Sequence, residues 1–403
     1  MSFPQSLSSV CEIREATADD NIDGVQPQVV ARPKSTDETA ALMRACHAEN
    51  LAVVVRGNGS KQSWHLPPER CDVVLETTAM DELIEHSRGD LIATAGAGIS
   101  ISKLQQELAN GAHQLVVDDA YGSTLGGAVA TNLSGPRRMW TGTIRDLVLG
   151  IRFVRADGVV AKTGGKVVKN VAGYDIAKLL TGSFGTLAVI TEITVKLHPL
   201  PQTNRWVTVD VPQERLAAVL GHAVASQLVP HALELHAEPG RDIQIATLLS
   251  GSTAGAVARA EALAKELADV SGGHVAILDS PPSWWGQQLP GDLHLKTTSR
   301  LSGVAELVEQ ATMHDLTISG SAGAGVLYAS GESQSIDAKE VLDSVRLTSL
   351  RLGGSTVVQQ ALLSMKQKLD LWGPISALEL MRRVKHEFDP TRVLAPGRFV
   401  GGI

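Results

Sequence analysis

Four glycine-rich stretches carry the residue types that backbone chemistry needs: RGNGS at 56–60, YGSTLGG at 121–127, NLSGPRR at 132–138 and TGSFGT at 181–186. Singly, each is a tight turn that glycine makes sterically cheap. Jointly they say more, because every one leads out of or into a predicted strand. Strand ends of that kind expose backbone N–H groups able to cradle a diphosphate and the flat rings attached to it. Basic residues stand close by, Arg137 and Arg138 in SGPRR and Lys166 and Lys169 in GGKVVKNVAGYD.

Two common nucleotide motifs are excluded. A Rossmann fold needs G-x-G-x-x-G after its first strand and an acidic residue about 20 positions on, and RGNGSKQS lacks the third glycine. A Walker A loop needs G-x-x-x-x-G-K-[ST], which occurs nowhere in the chain. A nucleotide site here belongs to another fold.

The elements that must position these loops follow from periodicity. Residues 28–56 predict strand, helix, strand: VVARP, a Ser35/Thr36 cap opening TDETAALMRACHAEN, then LAVVVR running into RGNGSKQ. From about 91 to 200, short β-type runs separated by glycines predict a mixed, partly antiparallel sheet with connecting helices, and ADG at 156–158 is a hairpin turn. HPLP at 198–201 marks a boundary. Beyond it WVTVDV, a helix near 212–226, ALELHAE, IQIATLLS, an Ala-rich helix near 253–269, HVAIL, HLKTTS and GVLYAS repeat two strands and two helices, which predicts a ferredoxin-like layer. The last stretch, GPISALELMRRVKHEFDPTRVLAPGRF, predicts an amphipathic helix ended by Asp389-Pro390.

Composition narrows the function. The chain has 403 residues, 43% of them hydrophobic, and a net charge of −7. That balance argues against a general nucleic-acid or anionic-membrane binder, which relies on a basic excess. No basic-then-apolar leader and no apolar run of about 20 residues is present. The expected location is the cytoplasm, with any contact at the inner membrane made through partners. Cys11, Cys46 and Cys71 are too far apart in sequence to suggest a disulfide framework or the clustered thiolates of an iron–sulfur centre. No metal site is expected, and electrons passing through this protein need another carrier.

In their order, the motifs resemble the FAD-binding fold of the vanillyl-alcohol oxidase and p-cresol methylhydroxylase (PCMH) type, over about residues 25–201. RGNGSKQ resembles that family's phosphate-binding loop, STLGGAVATNLSG its second flavin-cradling segment, and GYDIAKLLTGSFGTLAVITEITVKLHP its closing signature. Within the family, SGPRRMWTGTIRDLVLGIRFVRADG, GGKVVKNVAGYD and SWWGQQLP resemble the E subunits of glycolate oxidase. The resemblance implies an α+β protein. A PCMH-type FAD-binding domain of two α/β subdomains is expected over 1–201, a smaller ferredoxin-like α/β cap or substrate domain over 202–372, and a segment over 373–403 that returns to the FAD domain. It also implies partners: a D-type subunit that binds FAD and an F-type subunit that carries iron–sulfur clusters.

Carried over residue by residue, the resemblance puts Arg56, Gly57, Asn58, Gly59 and Ser60 around the pyrophosphate, with Ser123, Thr124, Gly126 and Gly127 as the opposite wall. Asn132, Ser134 and Gly135 are expected nearer the ring. Gly182, Ser183, Gly185 and Thr186 are expected at the ribose and phosphates, and Ile190 at the adenine. RGNGSKQ contains no histidine for covalent attachment, and His65 reads as a surface loop residue, so noncovalent FAD is expected. Related D-lactate and 2-hydroxyglutarate dehydrogenases carry an H-x-G-D-G-N-x-H motif, where this chain has GSAGAGVLY at 320–328. LAPGRF has Ala395 where relatives offer Asn-Pro-Gly.

Those departures leave the chemistry without an evident base. Lys169 and Tyr174 are the catalytic candidates, and for Arg138 and Lys166 a solvated loop is an equal reading. Trp284, Trp285 and Trp372 suit either an interface or the core. The function expected is that of an FAD-binding subunit of a glycolate (2-hydroxy acid) dehydrogenase complex, oxidising glycolate to glyoxylate and passing electrons to the iron–sulfur partner. A self-sufficient FAD-dependent hydroxy-acid or alcohol oxidase, and a non-catalytic structural subunit with a degenerate flavin site, are the alternatives.

Overall fold

The pattern VVAR, VVVR, VVLE is the near-continuous apolar run of strands buried on both faces. In the structure, a computed structural model that describes residues 9–165 and 174–403, these three runs form one sheet with a fourth strand. The strands are β1 (Glu12–Glu15), β2 (Val29–Arg32), β3 (Val53–Arg56) and β4 (Val73–Glu76), in the order β1-β2-β4-β3. β2 and β3 both run parallel to β4, while β1 is antiparallel to β2. The helix Thr36–Ala48 connects β2 to β3, and Ser35 caps it by accepting a hydrogen bond from the Glu38 amide. Leu42, Met43 and Cys46 on its inner face are fully buried.

A second sheet follows from β5 (Leu83–Ser87), β6 (Ile92–Gly96), β8 (Val148–Val154), β9 (Val160–Gly164) and β10 (Val189–Lys196), in the order β5-β6-β10-β8-β9. A two-stranded ribbon of β7 (His113–Gln114) and β11 (His198–Pro199) lies beside it in the chain. Every pairing in this second sheet is antiparallel, not mixed as the sequence pattern predicts. Short connections account for the β5–β6 and β8–β9 pairings, because a tight turn can only join antiparallel strands. Gly158, at φ +79, makes one such turn in ADG, and Leu91, at φ +55, closes another.

These two sheets, up to Leu133 and over Thr143–Leu200, form one compact unit with Ile375–Ile403. The C-terminal residues join it through the backbone: Val53 N–H donates to Val393 O at 2.7 Å and Ala395 N–H to Val53 O at 2.9 Å. Helix Leu378–Phe388 is anchored by Lys385, whose Nζ donates to Asp389 Oδ2, Thr186 O and Leu394 O, with both charged groups buried.

The other unit comprises Ser134–Gly142 and Pro201–Pro374; the sequence reading put the first of these segments in the 1–201 domain. Its strands are β12 (Thr203–Val211), β13 (Ala232–Ala237), β14 (Ile243–Gly251), β15 (Val275–Leu278), β16 (Leu293–Thr298), β17 (Thr317–Ser321), β18 (Val326–Gly331) and β19 (Thr356–Gln360). They make one antiparallel sheet in the order β15-β12-β14-β13-β17-β18-β16-β19. Each half is a β-α-β-β-α-β repeat of ferredoxin-like topology, and the halves meet where β13 pairs with β17, Glu234 opposite Ser321. Alternate residues Leu293, Leu295 and Thr297 are fully buried on one face. The other face carries Lys296 opposite Tyr328, Tyr328 opposite Ser319 and Ser319 opposite His236, a row of polar side chains crossing four strands.

Candidate functional site

β3 ends in the first glycine loop, and what surrounds that loop dictates its residues. A Cβ on Gly57 would stand 2.2 Å from Thr124 Oγ1, and Gly59 has φ +76, where an L side chain is strained. The amides of Gly57, Asn58, Gly59 and Ser60 donate no hydrogen bond among the described residues. Four N–H groups in succession are thus left for another acceptor.

The second loop is held by Asp119, whose carboxylate accepts from Tyr121 N at 2.9 Å, Ser123 N at 2.5 Å and Ser123 Oγ at 2.8 Å. Thr124 then caps the short helix Leu125–Ala130, its Oγ1 accepting from Gly127 N at 3.1 Å. Two side chains tie this loop to the first. Asn58 Nδ2 donates to Gly122 O at 2.8 Å, and Lys61 Nζ donates to Ser123 Oγ. The third wall is the turn at 182–185, where Gly182, Phe184 and Gly185 all have positive φ. Phe184 N donates to Ala130 O, laying the turn against the end of that helix.

Together they form one cleft, partly open to solvent. It is lined by Val55, Gly57 to Gln62, Thr77, Ala97, Ser123, Thr124, Gly126, Gly127, Ala130, Thr131, Phe184, Gly185, Ala188, Ile190 and Arg398. Lys61 and Arg398 are both buried. Burial pushes the Lys61 ammonium down to about 8, against the pull of Asp119. It lowers the Arg398 guanidinium to about 10, still charged at neutral pH, where its Nη atoms donate to Gln62 and to Lys61 O. Arg398 Nε is buried with no hydrogen-bond partner among the described residues; so is Oδ1 of Asn132, which does not line the cleft. Unused amides, buried cations and an apolar wall of Val55, Phe184, Ala188 and Ile190 fit a ligand with an anionic diphosphate between flat rings. FAD has that make-up.

Of the residues expected at the cofactor, the structure brings Gly57, Asn58, Gly59, Ser60, Ser123, Thr124, Gly126, Gly127, Gly185 and Ile190 to the cleft. Arg56 turns its guanidinium away, to Asp20 at 2.8 Å and Glu76 at 3.0 Å. Ser183 and Thr186 hydroxyls donate to Leu180 O and Ser183 O of their own turn. Gly182 shapes the turn beside Asn132 without lining the cleft. Ser134 and Gly135 belong to the other unit, where both carbonyls accept from Arg138.

Tyr174 is 94% exposed and is not among the residues lining the cleft. Lys166, Lys169 and Gly173 lie outside the described residues. His65 corrects the surface reading: it is buried at φ +57, its ring edge-on to Phe184 with centroids 4.8 Å apart. It does not line the cleft. Lys61, Gln62 and Arg398 were not legible as cleft residues. Lys61 immediately follows the glycine loop and could have been found by that position, whereas Arg398 is brought in from the far end of the chain.

The second unit holds a cluster of its own. Arg138 is buried, with Nη2 donating to Tyr328 Oη at 2.9 Å and no carboxylate within ion-pair distance among the described residues. Burial pushes the Tyr328 phenol up, but Arg138 and Lys296 outweigh it and hold the phenol below its ordinary value. Trp284 stacks on His236 and Trp285 sits edge-on to Trp206, so both pack over this unit's sheet.

Residues 27–164 match the FAD binding domain family. The chain is 31% identical over 261 residues to the D-lactate dehydrogenase of Archaeoglobus fulgidus, covering 62% of this chain and 58% of that one. It is 31% identical over 216 residues to glycolate oxidase subunit GlcD of Bacillus subtilis, covering 53% and 46%. It is 34% identical over 160 residues to glycolate oxidase subunit GlcE of Escherichia coli, covering 39% and 45%. The chain thus spans about half the length of the curated relatives it matches. In three dimensions it is similar to p-cresol methylhydroxylase with substrate bound, with a TM-score of 0.76 at 14% identity over 98% of this chain and 95% of that one. The fold is the PCMH type.

Proposed function

We propose that this chain is an FAD-binding subunit of a 2-hydroxy-acid dehydrogenase assembly of the glycolate oxidase kind, holding its flavin noncovalently. The observation that carries the reading is the cleft, where four successive unengaged amides and two buried cations share one lining. The likeness to subunits named GlcD and GlcE supports the substrate class and the multi-subunit setting. In that setting the partners are an FAD-containing D-type subunit and an iron–sulfur F-type subunit, which takes the electrons. The described residues contain no helix long and apolar enough to cross a membrane, so membrane contact through the partners suits the reading.

When bound, FAD supplies a two-electron acceptor for the C2 hydride of a hydroxy acid, whose hydroxyl proton must leave to a base. This chain's own residues bind and orient. Gly57 to Ser60 present N–H donors, Thr124 holds the opposite wall, and Val55, Phe184 and Ile190 keep the cleft apolar. Noncovalent attachment is supported by the lining, which includes neither His65 nor any cysteine. Burial also pushes the Cys46 and Cys71 thiols up to about 12, far from nucleophilic.

A second reading, a dehydrogenase sufficient by itself, is favoured by the Arg138, Lys296 and Tyr328 cluster, whose positive character suits a substrate carboxylate. Purification of the chain alone and with its partners separates these. Yellow protein that glycolate reduces only in the assembly supports the subunit reading. Reduction of the isolated yellow chain supports the second. Colourless, folded protein that takes up no added FAD overturns both and leaves a structural subunit with a degenerate site.

A further inference from the structure

Lys61 is the most unusual charge in the first unit. Its side chain is buried in the cleft, with Nζ donating to Ser123 Oγ and lying 5.8 Å from the Trp64 ring centroid and 5.1 Å from that of Tyr121. No carboxylate stands within ion-pair distance of it among the described residues. Asp119 is the acidic group that faces it, but that carboxylate already accepts three hydrogen bonds from Tyr121 and Ser123. Arg398 approaches from the C-terminal segment through the Lys61 carbonyl and adds positive charge. A buried ammonium without a counter-ion is costly, and a protein relieves that cost by neutralising the group or by pairing it.

We propose that Lys61 supplies the buried positive charge that pairs with the diphosphate of FAD, so that flavin binding and protonation of this lysine are one linked event. The inference rests on the flavin reading of the cleft. Before binding, burial favours neutral Lys61 against the pull of Asp119 and of the two ring faces. A diphosphate cradled by the amides of Gly57 to Ser60 places an anion beside that loop's next residue and favours the ammonium. Linkage then requires that FAD binding take up protons from solution near and above the lysine's free-state pKa. Asp119, Tyr121 and Arg398 are the other ionisable groups facing Lys61, and Arg398, lowered only to about 10, stays charged at pH 8.

The test is calorimetric titration of FAD into the apoprotein at pH 8, in two buffers of different ionisation enthalpy. With the free-state value at about 8, uptake of about half a proton per FAD is expected, falling towards zero as the pH is lowered. Lys61→Arg should bind FAD without proton uptake, because its charge is permanent. Lys61→Met should bind at least ~10-fold more weakly, while the apoprotein melts no lower than wild type, since a poorly compensated charge has been removed. Wild-type binding without proton uptake overturns the proposal. So does uptake that persists in Lys61→Arg, or a Lys61→Met apoprotein that melts lower and binds FAD unchanged. No FAD binding by folded wild type overturns the flavin reading itself, and this inference with it.

Discussion

A single methyl group decides whether the first glycine loop can close. Gly57→Ala would press its Cβ onto Thr124 Oγ1 and dislodge the cap that the hydroxyl gives Gly127. The expected cost is about 1 kcal/mol of local stability and at least a ~10-fold loss of FAD affinity. Fluorescence titration of the apoprotein measures it, and wild-type affinity in this variant would remove the first loop from the site. Asp20 matters in a different way. Its buried carboxylate accepts from both Nη atoms of Arg14, from Arg56 and from Thr17. These bonds, Arg14 first, outweigh burial and hold it well below the usual carboxylate range. A depressed value means that this stabilisation is complete above about pH 4 and is lost as the pH falls further. Asp20→Asn should cost about 2 kcal/mol at pH 7, discounted for the half-exposed Arg14. Melting temperatures between pH 6 and acid should fall less steeply in the variant; parallel curves would refute the assignment.

At the scale of elements, two features carry strain or support. Val229, between helix Gln213–Ala225 and β13, is 63% exposed at φ +50. A β-branched residue is disfavoured in the left-handed region, and asparagine tolerates it. Val229→Asn should therefore stabilise the protein by about 1 kcal/mol, read as a higher denaturation midpoint; no gain would mean the loop has another role. Helix Leu378–Phe388 depends on one buried pair. Among the described residues, Lys385→Met leaves the Asp389 carboxylate with only the amides of Val393 and Leu394 for partners, and ~3–5 kcal/mol of destabilisation is expected. Adding Asp389→Asn should recover part of it. A single variant within ~1 kcal/mol of wild type would show that the pair is not what anchors the helix.

For the whole molecule, the first unit should answer to its ligand. A group that binds the native state alone stabilises by about 2.7 kcal/mol at a hundredfold excess over its dissociation constant. Saturating FAD should raise the melting temperature of the apoprotein, whereas riboflavin, which lacks the diphosphate and adenosine, should do much less. Equal shifts with both would mean that the glycine loops do not grip a diphosphate.

How much of this was legible beforehand depends on the range over which each feature is fixed. Val29–Arg32, helix Thr36–Ala48 and Val53–Arg56 follow from local pattern and capping, and so do the ADG hairpin and the two ferredoxin-like repeats. The glycines announce a cradle because Gly57 and Gly126 leave no room for a Cβ, and Gly59 and Gly185 take a positive φ that strains an L side chain. What local pattern could not supply was everything set by contact between distant segments. Arg56 is a cleft residue by position, yet its charge is claimed by Asp20 and Glu76. His65 sits in a polar-looking loop but is buried against Phe184. Arg398 enters the cleft from more than 330 residues beyond Lys61. By itself the sequence determined the elements, the turns and the kind of ligand, because backbone sterics and periodicity act over a few residues. The tertiary structure decided which charges line the cleft and which are spent on one another, because Coulomb pairing and desolvation depend on distances in space that the order of residues does not encode.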